Sequence, residues 1–243
     1  GGAGGSDVLD LYAAEFSGGV VAKDNIEILS GEDGATIVNW RDAIPESLTA
    51  VNVETIDAKT GMLEDTAIVR RADSGVDASK IILQLGSISP NAPGDRATDL
   101  VRILGTDDAA SRDFVTSTAV SADESTYRVH VVDAQDNRTF LQAITLRDTS
   151  RGPGEEDTVR LEMGAGNDTV DLTGQQILQG SGGGLVRSVD LGAGDDLFLG
   201  SALDEIISLG DGDDTVDAGL GIDIIVDGGG RDTYVYDAVE LGG

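Results

Sequence analysis

Apolar and polar positions alternate along this chain in short bursts. Apolar, β-branched runs occupy residues 26–29, 36–38, 51–56, 67–69, 81–85, 100–104, 114–115, 127–132 and 140–146. Turn-forming stretches separate them, among them Gly31-Glu32-Asp33-Gly34, Lys59-Thr60-Gly61 and Pro93-Gly94-Asp95. Such runs, bounded by Gly, Pro, Asn and Asp, read as strands. No run holds a helical period beyond a turn or two. Residues 1–151 are therefore expected to form a β-rich domain, either an irregular β-solenoid or a β-sandwich.

The pattern changes near Gly152. Residues 152–243 carry 21 of the 34 glycines, 20 acidic residues, and only Arg160, Arg187 and Arg231 as bases. Arg151-Gly152-Pro153-Gly154 is the expected junction between the two parts. Within the second part, steps of nine residues back from Asp232 reach Asp223, Asp214, Glu205, Asp196 and Arg187. Two residues after each stands an apolar side chain: Tyr234, Ile225, Val216, Ile207, Phe198 and Val189. Glycines keep the same register, with Gly230, Gly221, Gly212 and Gly194 two residues before an Asp. Gly228, Gly219, Gly210 and Gly192 lie four before. The repeat is G-x-G-x-D-x-U-x-x, where U is apolar. Gly164-Ala165-Gly166-Asn167-Asp168-Thr169-Val170 is a further copy, and Gly2–Leu9 a looser one.

This spacing has a physical reading. Glycines let a short turn curl through positive φ. The x-U-x that follows is a three-residue strand with its middle side chain pointing inward. Two nonapeptides make an eighteen-residue coil, and coils stack as parallel strands. The predicted fold class is all-β, with a calcium-stabilised parallel β-roll over residues 152–243. Turns eighteen apart fall on one side, so Asp196, Asp214 and Asp232 stack together, while Arg187, Glu205 and Asp223 stack opposite. Each turn offers a carboxylate and carbonyls, the hard oxygen ligands that calcium prefers. Several Ca2+ ions are expected, firmly held between Asp196 and Asp214 and between Asp214 and Asp232. The Arg187 side is expected to bind weakly, its cation standing in for a metal. Asp168 lies 28 residues before Asp196, so an insertion within residues 173–184 breaks the register there.

The nonapeptide resembles the repeats-in-toxin motif, G-G-x-G-x-D-x-U-x, of calcium-binding bacterial exoproteins. The similarity covers residues 182–236, with the copies at 164–170 and 2–9. The first glycine of the pair is mostly replaced, as by Leu191, Leu209 and Ala218. Gly228–Tyr236 resembles the aromatic repeat that closes such a roll. The resemblance implies one-step bacterial secretion in an unfolded state and folding on external calcium.

Composition narrows the function. The chain has 45 acidic and 16 basic residues, a formal net charge of -29, and no cysteine. Such a charge repels nucleic acid and anionic lipid, and the missing cysteines exclude disulfides and thiol chemistry. No apolar stretch is long enough to span a membrane. The first residue is Gly1, which suggests a piece of something longer. The single histidine, His130, cannot build an H-E-x-x-H zinc site, and no G-x-S-x-G elbow is present. The run Gly180–Gly184 reads as a flexible insertion. No enzyme is expected, but a calcium-binding structural or adhesive segment of a large secreted or cell-surface protein: an adhesin, surface-layer or filament subunit that self-assembles. The alternatives are a secretion and folding module of an exoenzyme, such as a protease or lipase, or a polysaccharide-binding module.

Overall fold

The computed structural model describes residues 7–12, 25–30, 35–41, 45–50, 53–60, 64–71, 79–85, 97–121, 124–147, 157–175 and 186–236. The expected junction at 151–154, the glycine run 180–184 and residues 2–6 of the opening motif lie outside them.

The described chain is all-β. Its first strands are β1 (Val8–Tyr12), β2 (Asn25–Ser30), β3 (Thr36–Arg41), β4 (Pro45–Ala50) and β5 (Thr55–Lys59). There follow β6 (Thr66–Arg70), β7 (Lys80–Gln84), β8 (Leu100–Thr106), β9 (Asp113–Ser121), β10 (Glu124–Val132) and β11 (Arg138–Arg147). After these come β12 (Thr158–Gly164), β13 (Thr169–Asp171), β14 (Val186–Asp190) and β15 (Leu197–Leu199). The last are β16 (Glu205–Ser208), β17 (Thr215–Asp217), β18 (Ile224–Val226) and β19 (Thr233–Val235). Each of the nine apolar runs read from the sequence overlaps a strand. Strand β4, which opens on Pro45 and carries one large aliphatic residue, Leu48, gave too little apolar signal to be read beforehand.

The strands form two sheets. One has the order β1-β5-β7-β11-β10-β9-β13-β15-β17-β19, the other β18-β16-β14-β12-β8-β6-β2-β3-β4. From β5 to β8, and again from β11 to β19, successive strands alternate between the sheets, so each circuit of the chain adds one strand to each. Two antiparallel excursions interrupt the circuits: β2-β3-β4 widens one sheet and β9-β10-β11 the other. Strand β12 pairs with β8 and β13 with β9, so both sheets continue from the first part of the chain into the second.

Alternation explains which residues meet between the sheets. In β8, Val101 and Ile103 are buried while Arg102 faces outward; in β12, Val159, Leu161 and Met163 are buried. The three-residue strands β13, β15 and β17 bury only their middle residues, Val170, Phe198 and Val216. One apolar core runs from Ile26 to Val216 through both parts of the chain. Its columns follow the period-nine positions: Phe198 lies beside Val216 and Val216 beside Tyr234, each pair eighteen residues apart. On the facing sheet the same offset joins Val189 to Ile207 and Ile207 to Ile225. The break at 28 residues leaves this pairing intact, since Val170 lies beside Phe198 and Leu161 beside Val189. The additional residues leave from between β13 and β14.

Nine of the ten glycines singled out in the repeat have positive φ, Gly228 being the exception. The requirement is plain at Gly212, with φ +144°. A Cβ there would overlap the carbonyl oxygen of Gly194 one coil earlier. Left-handed strain and steric overlap act together at this position. Gly212→Ala is expected to cost at least about 2 kcal/mol in chemical denaturation. Gly229→Ala, where a Cβ meets only the movable Asp211 carboxylate, should stay within about 1 kcal/mol. Equal losses at the two positions would refute the close-approach argument.

Candidate functional site

The turns that precede the strands carry a ladder of carboxylates. Asp113, Asp168, Asp196, Asp214 and Asp232 each stand one residue before or at the start of a strand of the ten-stranded sheet. The Asp113 amide donates to Asp168 Oδ1 at 2.6 Å, and the Asp168 amide to Asp196 Oδ1 at 2.7 Å. The Asp196 amide donates to Asp214 Oδ1 at 2.8 Å, and the Asp214 amide to Asp232 Oδ1 at 3.0 Å. Each rung is completed in the other direction by a backbone bond. The amides of Leu197, Thr215 and Thr233 donate to the carbonyls of Asp168, Asp196 and Asp214. The ladder therefore has a polarity, with amides pointing toward later coils and carboxylates toward earlier ones.

One oxygen of each carboxylate is used in this way. The other, Oδ2 of Asp168, Asp196 and Asp214, is buried and has no hydrogen-bond partner. Burial raises Asp168 to about 7, the Asp113 amide opposing and the Asp113 charge reinforcing the rise. Burial likewise raises Asp196 to about 8, with repulsion from Asp168, Asp214 and Asp195 adding to it. Asp214 is raised too, by its burial and then by Asp232, Asp195 and Asp213, against the Asp196 amide. A buried carboxylate oxygen without a donor is stable only if it takes a proton or lies beside a cation.

The carboxylate at the head of the ladder, Asp113, has a base beside it, although burial still holds its pKa above the ordinary value against the opposing Arg71. Arg71 Nη1 lies 2.8 Å from Asp113 Oδ1 and 2.7 Å from Ser111 Oγ, with the Asp113 side chain fully buried. The Thr106 amide donates to Asp113 Oδ2 at 3.1 Å. The cation at the head of the ladder is thus Arg71. The side chain of Arg187, the base expected to play such a part, lies outside the described residues.

The facing side of the stack differs. The Glu205 amide donates to Asp223 Oδ1 at 3.0 Å, eighteen residues away as the register requires. The Glu205 carboxylate folds back onto the hydroxyl of Ser201, in the turn that lacks the glycine pattern. Further along the same sheet, the Asp65 amide donates to Asp99 Oδ1 at 2.7 Å and the Asp99 amide to Asp157 Oδ1 at 2.9 Å. These residues, with Arg71 and Asp113, were missed in the sequence. The signal they share is an Asp just before an apolar strand, without flanking glycines and without a constant period. Gly219, Gly221 and Asp223 form the corresponding turn near the end of the stack, and Gly228 and Gly230 the turn before Asp232.

Among the described residues, no three His, Cys, Asp or Glu side chains gather into a single metal-sized cluster. The carboxylates are strung out one per coil, so any ligand set would need the turn backbone as well. The lone histidine sits elsewhere, on the sheet face between Phe114 and Phe140, with ring centroids 5.9 and 5.6 Å away. No helix among the described residues is long and apolar enough to cross a membrane.

Comparison with protein families, curated proteins and solved structures finds no match to this chain.

The raised pKa values of Asp168 and Asp196 set a pH dependence. In chelator, the folded chain keeps protons on Asp168 and Asp196 that the unfolded chain releases above about pH 4. Their contribution is present below about pH 4 and is lost as pH rises through about 7 to 8. The chelated protein should therefore melt at a lower temperature at about pH 8.5 than at about pH 5.5, and Asp196→Asn should flatten the difference. A melting temperature that climbs with pH would show that these carboxylates are not held neutral in the fold.

Proposed function

We propose that this chain is a calcium-dependent structural or adhesive segment of a larger secreted or cell-surface protein. The observation that carries the reading is the set of buried, donor-free Oδ2 atoms of Asp168, Asp196 and Asp214, stacked on one side of a chain with a net charge of -29. The donor chemistry fits a hard divalent cation: carboxylate oxygens fixed by amide bonds, in turns whose glycines expose backbone. When bound, calcium supplies positive charge and coordination between coils. The carboxylates of Asp168, Asp196, Asp214 and Asp232 would hold it. The resemblance to repeats-in-toxin proteins supports the same reading and the extracellular setting, where calcium is plentiful.

The chain's own residues do the rest. The amide-to-carboxylate rungs orient one oxygen of each Asp and leave the other available. Phe198, Val216 and Val170 keep water from the inner side of the strands. Arg71 holds the first carboxylate without a metal. Binding energy at such a site becomes folding energy, because the separated turns of an unfolded chain offer no comparable cage.

The test is a calcium titration followed by far-UV circular dichroism, with Asp214→Ala alongside. A cooperative gain of β signal is expected at roughly 0.1–1 mM calcium. Asp214 lies on two rungs, so Asp214→Ala should raise the midpoint or cut the amplitude. A full β spectrum in excess chelator, unchanged by calcium, would overturn the proposal.

A further inference from the structure

The two ends of the stack are complementary. At one end, the last described strand of the ten-stranded sheet is β19 and that of its partner β18. No later coil among the described residues supplies a carboxylate to the Asp232 amide. Tyr234 and Ile225, which occupy inward columns, are only partly covered there. Leu220, Ile222, Ile224 and Val226 are exposed beside them, Ile222 to 80%. At the other end the sheets stop at β1 and β4.

That far end begins with the same rung. The Asp7 amide donates to Glu54 Oε2 at 2.6 Å, and the Thr55 amide donates back to the Asp7 carbonyl at 3.2 Å. This is the two-bond pattern that joins Asp214 to Asp232, where the Thr233 amide donates to the Asp214 carbonyl. Asp7 thus presents an exposed carboxylate outward, as the start of a ladder, while Asp232 presents an amide and a carbonyl at its finish. Leu9, beside the buried Ile56, continues the inward column that Tyr234 leaves half covered. Strand direction agrees on both sheets. Strands β1 and β19 run the same way, because the β9-β10-β11 excursion reverses direction twice. Strands β4 and β18 also run the same way, because β2-β3-β4 does likewise.

We infer that copies of this chain stack end to end, β19 of one copy pairing in parallel with β1 of the next and β18 with β4. The Asp232 amide donates to the Asp7 carboxylate of the second copy, and the second copy's Val8 amide donates to the Asp232 carbonyl. Ile224 and Val226 are covered by the arriving edge. Because the two surfaces differ, the contact is head-to-tail and propagates into a filament instead of closing as a two-fold pair. Among the described residues nothing pairs with the outer edges of the end strands, and open edges are a feature that folded monomers usually avoid. This inference rests on the reading of the chain as a structural segment.

Sedimentation velocity on the 243-residue chain in millimolar calcium tests it, with two variants that each block one end. Asp7→Lys with Val8→Lys blocks the first end; Ile224→Lys with Val235→Lys blocks the last. Wild type should give masses that grow with concentration, with filaments in electron micrographs. Each variant alone should remain a monomer, and their equimolar mixture should double in mass and stop there. Wild type that stays monomeric at high concentration, or a first-end variant that still dimerises through its last end, would overturn the inference. Circular dichroism on the same samples separates it from the calcium proposal. A calcium-dependent fold that stays monomeric sinks stacking alone, and assembly of a calcium-indifferent fold sinks the ion alone.

Discussion

Along the ten-stranded sheet, successive coils of the second part meet through a rung: an Asp amide donating to the next Asp carboxylate, and a backbone amide donating back. In these coils the glycine turns above and below the rung lie in contact. A side chain at Gly194 or Gly212 would occupy the space of the preceding carbonyl. The same closeness removes the carboxylates from water, and burial is the first cause of the raised pKa values of Asp168, Asp196 and Asp214. Close stacking and buried charge are thus one constraint with two faces.

The molecule answers that constraint in two ways. At the head of the ladder a guanidinium, Arg71, sits against Asp113, and Asp113 keeps both oxygens bonded. In the following coils one oxygen of each of Asp168, Asp196 and Asp214 is buried without a donor among the described residues. The contrast lies along a single continuous sheet, within the same rung geometry. The internal cation is Arg71, which stands just past the end of β6. The short nonapeptide coils carry few basic residues, and their carboxylates depend on something from solution.

The antiparallel excursions show how irregular sequence is absorbed without ending the stack. Each adds two strands and returns the chain in its original direction. The parallel register, the core column and the polarity of the rungs therefore survive them. The 28-residue step between Asp168 and Asp196 is absorbed similarly, since the additional residues leave between two strands whose pairing they do not alter. A sheet stack tolerates such insertions because its pairing depends on the strands and turns, while loop closure costs rise only slowly with length.

Much of the second part was legible in the residues themselves. Positive φ at the repeat glycines, the inward column from Val189 to Tyr234, and the eighteen-residue offset all follow from local chemistry repeated at a fixed interval. The strands of the first part were legible for the same reason, since alternation is a local property. What remained hidden were partnerships between distant residues without a common period: Arg71 with Asp113, Asp65 with Asp99, Asp99 with Asp157, Asp7 with Glu54. Those pairs are 42, 34, 58 and 47 residues apart in the chain. Sequence by itself determined which turns could curl and which side chains faced inward, because steric and hydrophobic preferences act within a few residues. Only the tertiary structure decided which carboxylate met which amide or cation, because hydrogen bonds and charges act across space at distances of a few ångströms, whatever length of chain lies between.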